Sequence, residues 1–347
     1  MYPRCVKFFD LKKECEEVAS CPEIRAMSEA IELERGKSFA LPKKKSINRL
    51  HDVSKRRSTT ASNAIESIKV SNAREKELLE EGLAPSTYED FMLTGYNDAL
   101  ESIFKTYSYR KLDEDLILTL HQLMYEKWNP SFGGRYKTEQ NYIVSGGKTL
   151  IFTPPSPDKV PSLLGNLIYQ FDLEMASPLS NKLVVIFSFI LNFLCIHPFQ
   201  DGNGRVSRLL TTFLLLKNGY ELDLYYSLSY LILDNQEGYY ASLEKSDRGW
   251  DRSENDIKPF VAYMLQMVLL GYRKLNYILE ISSMKGTCPI KVKKIIDDSA
   301  SPISKADIEE ILYSYGKDSI EKALKSLVKA KKIQLIQRGH YAKYFKI

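Results

Sequence analysis

Apolar residues recur at intervals of three and four along most of the chain, the spacing of helices that bury one face. Residues 1 to about 40 mix apolar and charged positions in this way, and Pro42 with Lys43-Lys44-Lys45 then reads as a connector. The pattern predicts one helix from Thr60 to Glu81, with Ala61, Ala64, Ile65 and Ile68 on one stripe and Gly82 and Pro85 as its stop. Further helices are predicted over Tyr88–Thr106 and Asp113–Tyr125, before Gly133-Gly134 breaks the period. Within Gln140–Phe152 the period changes to that of two short strands, Tyr142–Val144 and Thr149–Phe152, joined by Ser145-Gly146-Gly147-Lys148. The prolines of Thr153–Pro157 then enforce an extended loop. Helices resume at Val160; Asn181–Ile196 is apolar nearly all round and predicts a buried central helix. A second apolar helix, about Arg205 to Lys217, ends at the Asn218-Gly219 cap pair, and more helix follows through Tyr239-Tyr240 and Phe260–Leu279. Two short helices (Ser304–Ser314 and Ser319–Ala330) precede strands at Ile333–Gln337 and Tyr341–Phe345 around Arg338-Gly339. Helix, helix, hairpin is the outline of a winged helix-turn-helix.

Composition narrows the class without naming a function. With 347 residues the chain has room for two or three domains of about 100–200 residues each. Its 44% hydrophobic and 27% charged residues exclude collagen-like, mucin-like and wholly disordered readings. The longest apolar stretch, Leu183–Ile196, is interrupted by Ser188 and Asn192 and is short for a bilayer span, and Met1–Asp10 holds no apolar core of a signal peptide. Five cysteines without CxxC spacing point to reduced thiols in a cytoplasm and away from a zinc site. The expectation is a cytoplasmic protein with no membrane partner.

Charge is distributed unevenly. Pro42–Arg57 holds seven Lys/Arg against one Asp, and Lys317–Ile347 holds nine against two acids. With a net charge of +5 for the whole chain, the remainder carries about −8. Basic clusters of this kind either follow phosphates or form a solvated face; the first cluster reads better as a solvated face. Gly147-Lys148-Thr149 resembles the end of a phosphate-binding P-loop, but that motif requires glycine where Tyr142 stands.

The densest chemistry lies between the two apolar helices, in His197-Pro198-Phe199-Gln200-Asp201-Gly202-Asn203-Gly204-Arg205-Val206-Ser207-Arg208. Pro198 ends the first helix and leaves His197 at its exit, where it can serve as a general base near neutral pH. Gly202 and Gly204 let backbone N–H groups converge at the start of the second helix, whose dipole favours an anion. Arg205 and Arg208 lie three apart on that helix and can clamp phosphate oxygens, and Asp201 offers a hard oxygen ligand suited to Mg²⁺. A base, a metal ligand, an anion cradle and two arginines describe nucleotidyl or phosphoryl transfer.

This segment resembles the HxFx(D/E)GNGRxxR signature of Fic-domain proteins at every defined position, within a similarity spanning about Phe91–Tyr272. The resemblance implies a mainly α fold, a Fic-type helical bundle with a β-hairpin flap. It also implies transfer of AMP from ATP, with Mg²⁺, to a Ser, Thr or Tyr hydroxyl of a target protein. On that basis His197 would deprotonate the hydroxyl, Asp201 would hold Mg²⁺, and Phe199 would anchor the loop in the core. Gly202, Asn203, Gly204 and Arg205 would receive the phosphates, and Arg208 would pair with the γ-phosphate. The hairpin, through Ile143, Val144, Thr149, Leu150 and Ile151, would hold a target segment by strand addition. Tyr239 and Tyr240 are candidates for contact with the base.

Upstream, Ser62-Asn63-Ala64-Ile65-Glu66-Ser67 resembles the inhibitory motif (S/T)xxxE(G/N) except at Ser67. The implied role of Glu66 is to occupy Arg208 and thereby restrain transfer, with Ser62 in the same motif. Three parts are expected: residues 1–87 with the inhibitory helix at about 60–81, a catalytic core at 88–282, and a winged helix-turn-helix at 283–347. The leading reading is an autoinhibited protein adenylyltransferase, with self-modification and a homodimer left open. The alternatives are a deAMPylase that uses Glu66 and a nucleotide-sensing regulator that binds DNA through the winged helix.

Overall fold

The structure, a computed structural model, describes residues 8–40, 47–145, 149–337 and 342–347. The chain divides into two packed units: residues 1–32 with 54–271, and residues 33–53 with 272–347.

The first unit is helical. It begins with α1 (Leu11–Ala19) and takes in parts of α2 (Pro22–Ala40) and α3 (Ile47–Ile65), each of which continues into the other unit. It continues with α4 (Asn72–Leu79), α5 (Tyr88–Thr106) and α6 (Glu114–Tyr125). A hairpin of β1 (Ile143–Ser145) and β2 (Thr149–Phe152) follows, with Ile143 opposite Phe152 and Ser145 opposite Thr149. Then come α7 (Val160–Ala176), α8 (Lys182–Ile196), α9 (Asn203–Lys217), α10 (Leu222–Tyr225), α11 (Leu228–Asp234) and α12 (Gln236–Asp247). The long α13 (Lys258–Ser283) runs on from here into the second unit.

Sequence dictates the centre of this unit. In α8 every side chain from Leu183 to Phe193 is buried, so the helix can sit only in the middle, packed by α1, α7, α9 and α12. Asn181 caps it by accepting from the N–H groups of Leu183 and Val184. Its one buried amide, Asn192, is satisfied on both sides: it donates to Glu14 at 3.0 Å and accepts from the Trp250 indole at 2.7 Å. Asp113 caps α6, and Thr87 and Asp90 form a capping box on α5. Among the described residues no helix is long and apolar enough to cross a membrane.

The second unit contains α14 (Cys288–Asp298), β3 (Ile303–Ser304), α15 (Lys305–Ile311), α16 (Lys317–Lys329), β4 (Ile333–Gln337) and β5 (Lys343–Lys346). The strands form an antiparallel sheet in the order β3-β5-β4. Val292, Ile295, Ile296, Ile308, Leu312, Ile320, Leu324 and Ile333 fill its core. Neither α14 nor β3 was evident from the pattern of the sequence. β3 has two residues, too few for a period, and it exists through pairing with β5.

The expected single helix over 60–81 is two helices. α3 ends at Ile65 and α4 begins at Asn72, because Ser67 adopts a left-handed conformation (φ 63°). The Ile68 N–H bonds back to Asn63 and the Ser67 N–H to Ala64, the paired pattern of a Schellman cap. The apolar stripe continues across this break, which is why periodicity alone missed it. α3 also starts as early as Ile47, so the later part of the first basic cluster is helical. There Lys55 pairs with Glu101 and Arg56 with Glu75 and Glu80. The connector at Pro42–Lys45 and the turns at Gly146–Lys148 and Arg338-Gly339 lie outside the described residues.

Candidate active site

The site forms where α8 gives way to α9. Pro198 has no N–H to donate, so α8 stops at Ile196 and His197 turns into the left-handed region (φ 50°, ψ 62°). Its Nδ1 lies 3.2 Å from the Leu194 carbonyl, which can only accept. The proton therefore resides on Nδ1, and Nε2 is left as the basic atom. Burial, reinforced by the Lys137 cation, lowers the His197 pKa to about 4, so the ring is neutral at physiological pH.

The loop after His197 closes on itself. The Asn203 side chain accepts from the Phe199 N–H at 2.9 Å and donates to the Phe199 carbonyl at 2.8 Å. Asn203 is thus a staple of the loop, its amide committed to backbone. Phe199 is fully buried, and its ring stacks on His121 with centroids 3.9 Å apart. Gly202 caps α9 with φ 85°, and a Cβ there would lie 3.0 Å from the Tyr125 hydroxyl.

Three polar groups meet beneath that glycine. The Tyr125 hydroxyl donates to Asp201 Oδ2 at 2.6 Å, and Arg205 Nη2 donates to the same oxygen at 3.1 Å and to the Tyr125 oxygen at 2.7 Å. Burial works against the ionised Asp201, but the Arg205 charge and the Tyr125 hydroxyl outweigh it, and the carboxyl sits below its ordinary range. Asp201 is about half exposed (55%) whereas Arg205 is almost wholly buried (1%). Among the described residues Arg205 Nε and Nη1 are buried without a hydrogen-bond partner, which is costly for a charged group unless an anion completes the site.

An outward-facing carboxylate is a fit donor for Mg²⁺. The described residues hold no cluster of three His, Cys, Asp or Glu side chains able to bind a metal. Among the described residues Asp201 would be the donor, with water and phosphate oxygens supplying the rest, an arrangement Mg²⁺ favours.

Several residues that build this site were not singled out from the sequence. His121 accepts from the Gly134 N–H on Nδ1 (2.9 Å), so its Nε2–H donates to the Asp201 carbonyl at 3.1 Å. Lys137 and Asn141 tie a neighbouring segment to the loop: the Lys137 N–H bonds Pro198 and the Asn141 amide bonds Phe199. Lys137 is 3% exposed, and burial lowers its pKa to about 8. The available signal was the pair His121 and Tyr125, polar groups one turn apart in the apolar stripe of α6.

The second arginine is in a different condition. Arg208 Nε donates to the Ser62 hydroxyl at 2.8 Å, and Nη2 donates to the Ser62 carbonyl at 2.9 Å and to Glu66 Oε1 at 2.8 Å. Gly204 makes room for this, since a Cβ there would collide with the Glu66 carboxylate. The structure thus brings Ser62, Glu66, Gly204 and Arg208 together, beside the group of Asp201, Gly202 and Arg205.

The tyrosine pair is not a matched pair. Tyr239 is buried among Tyr240, Phe260 and Tyr263, whereas Tyr240 is half exposed and donates to the Ile65 carbonyl at 3.2 Å, as does Gln236 at 3.0 Å. These two hold the end of α3. In the hairpin, Phe152 packs edge-on against Trp250, and the side chains of Val144, Thr149, Leu150 and Ile151 lie outside the described residues.

The sequence pattern of the Fic/DOC family matches residues 111–215, which hold α6, the hairpin, α7, α8 and nearly all of α9. The chain carries a Fic domain. It is 28% identical over 210 residues to the Caenorhabditis elegans protein adenylyltransferase fic-1, covering 58% of this chain and 37% of that protein. It is 33% identical over 153 residues to the Drosophila mojavensis protein adenylyltransferase Fic, covering 43% of this chain and 26% of the relative. The matched part is less than half the length of these curated relatives. A Fic family protein from Desulfovibrio desulfuricans G20 shares the fold with a TM-score of 0.64 at 22% identity, over 94% of this chain and 96% of that one.

Proposed function

We propose that the protein transfers AMP from ATP to a hydroxyl side chain of a target protein and that Glu66 restrains the reaction. The observation that carries this reading is the buried guanidinium of Arg205, two of its nitrogens without partners among the described residues, within one loop of a neutral His197. Nucleotidyl transfer needs little covalent chemistry from a protein; it needs a base, alignment and cations on the phosphates. His197 Nε2 takes the proton of the target hydroxyl as its oxygen attacks the α-phosphorus. The bond from that phosphorus to the bridging oxygen breaks, and pyrophosphate leaves with the electron pair. Arg205 and the N–H groups at the start of α9 meet the developing charge. Mg²⁺ on Asp201 would neutralise the phosphate oxygens.

Arg208 is the proposed partner of the γ-phosphate, and its contact with Glu66 is the proposed restraint. Residues 62–67, rather than a long helix over 60–81, would form the inhibitory element. The test is to incubate the protein with cell extract and ATP labelled at the α- or the γ-phosphate, with a His197→Asn control. Labelled proteins from α-labelled ATP alone support AMP transfer. Label from the γ-position would mean phosphoryl transfer and overturn the reading. A deAMPylase would instead release AMP from targets modified beforehand.

A further inference from the structure

Sorting the charges by unit shows a segregation that the net value hides. Residues 33–53 with 272–347 carry 22 Lys/Arg and 10 Asp/Glu, a net +12. Residues 1–32 with 54–271 carry 27 Lys/Arg and 34 Asp/Glu, a net −7. Solubility does not require such a division. A strongly basic unit attached to an acidic one marks a separate polyanion-binding surface.

Within the basic unit, α16 and the two lysines just after it hold six Lys against two acids, a net +4. α16 buries Ile320, Ala323, Leu324 and Leu327 in the core, with Val328 packed against it, so its opposite face is turned to solvent. Ser319, Lys322, Ser326 and Lys329 are all exposed and recur at three- and four-residue spacing, which sets them on one outward stripe, with Lys325 beside it and Lys331 and Lys332 just past the helix end. The lysines are not equivalent. Lys325 lies 2.6 Å from Glu321, which also pairs with Lys305. Among the described residues Lys322 and Lys329 have no carboxylate within ion-pair distance.

We propose that this unit is a winged helix-turn-helix that binds duplex DNA, with α16 lying in the major groove and Lys322 and Lys329 on the flanking phosphates. α15 and α16 form the helix-turn-helix, and the β3-β5-β4 sheet closes the unit behind them. A helix with side chains is about 10–12 Å across, which the major groove of B-form DNA (about 12 Å wide) admits. The deep, narrow major groove of duplex RNA does not. Single strands are ordinarily gripped by stacking on aromatic side chains, and the outward stripe of α16 has none. The stripe offers lysine and serine but no arginine, asparagine or glutamine, so phosphate contacts dominate and sequence discrimination is weak.

This inference is independent of the reaction proposed for the Fic domain. It is tested with the full chain and a fluorescent 30-base-pair duplex of arbitrary sequence, titrated at 50, 100 and 200 mM salt. Four or five lysines on phosphates predict a log–log salt slope of about −4. Lys322→Glu with Lys329→Glu should weaken binding at least roughly tenfold and flatten the slope by about two. Lys12→Glu with Lys13→Glu, the same charge change on exposed positions of α1, should leave both nearly unchanged. Matching circular dichroism spectra of the two variants show that both are folded. The proposal is overturned by failure to bind the duplex at 50 mM salt, by equal effects of the two double variants, or by tighter binding to duplex RNA or single-stranded DNA.

Discussion

Two stretches of the first unit converge on the first turns of α9, and they are built in opposite ways. The loop from His197 to Arg205 is held many times over: by Asn203 on Phe199, by His121 on both Phe199 and Asp201, by Tyr125 beneath Gly202, and by Lys137 and Asn141 from the side. The end of α3 is buried through Ala61, Ser62, Asn63 and Ile65, but its polar hold comes chiefly from two places, Arg208 on Ser62 and Glu66 and the two donors on the Ile65 carbonyl. It also turns on Ser67, a side-chain-bearing residue in a conformation that suits glycine. On the proposed reading, geometry that must recur at every turnover is over-determined, whereas the restraint rests on polar contacts that can be given up.

The sharpest way to break this comparison is at the base. His197→Asn keeps a residue that tolerates the left-handed backbone but removes Nε2, and it should lower AMP transfer by roughly 10²–10⁴-fold. Nucleotide affinity, measured by calorimetry, should be little changed, because the proposed phosphate contacts come from other residues. The wild-type rate should be flat from neutral pH downward and fall only as pH drops through about 4, where His197 takes up a proton and ceases to be a base. A fall centred near pH 6.5 would show that burial does not set this group.

Glu66→Gly tests the other side. It removes the carboxylate from Arg208, a charged hydrogen bond worth about 1.5–3 kcal/mol, and should raise transfer roughly ten- to a hundredfold in the labelling assay. A fall in transfer would contradict the restraint. Tyr125→Phe takes one hydroxyl from both Asp201 and Arg205, and a loss of roughly tenfold is expected, together with a higher Mg²⁺ requirement. An unchanged Mg²⁺ titration would separate Tyr125 from the metal ligand. The smallest effect belongs to Ser67→Gly, which relieves about 1 kcal/mol of backbone strain in the restrained form and should lower basal transfer roughly fivefold. The same substitution on a Glu66→Gly background should do nothing, since no restraint is left to strengthen.

What the sequence disclosed follows the same division. α5, α6, α8 and α9 were legible because caps such as Thr87, Asp113 and Asn181 coincide with a strong apolar period. The loop was legible because its chemistry is contiguous. His121, Tyr125 and Lys137 escaped notice because they reach Asp201 and Pro198 from 60 to 80 residues away, and no local pattern encodes that distance. The break after Ile65 was hidden because a Schellman cap needs one left-handed residue, and serine does not announce one. The Asn203 side chain faces the loop backbone, which leaves its backbone N–H at the start of α9 for the expected phosphate cradle.

Gly204 has a consequence for genetics. The space left by its missing Cβ is entered by the Glu66 carboxylate, and on the proposed reading a phosphate would take that space in the active state. A larger residue at 204 would expel both occupants at once. A selection for hyperactive mutants should therefore return changes at Ser62, Glu66 or Ser67 and never at Gly204. A selection for inactive ones should return Gly204 together with His197. If the two proposed states share that one vacancy, this glycine cannot be altered to favour either.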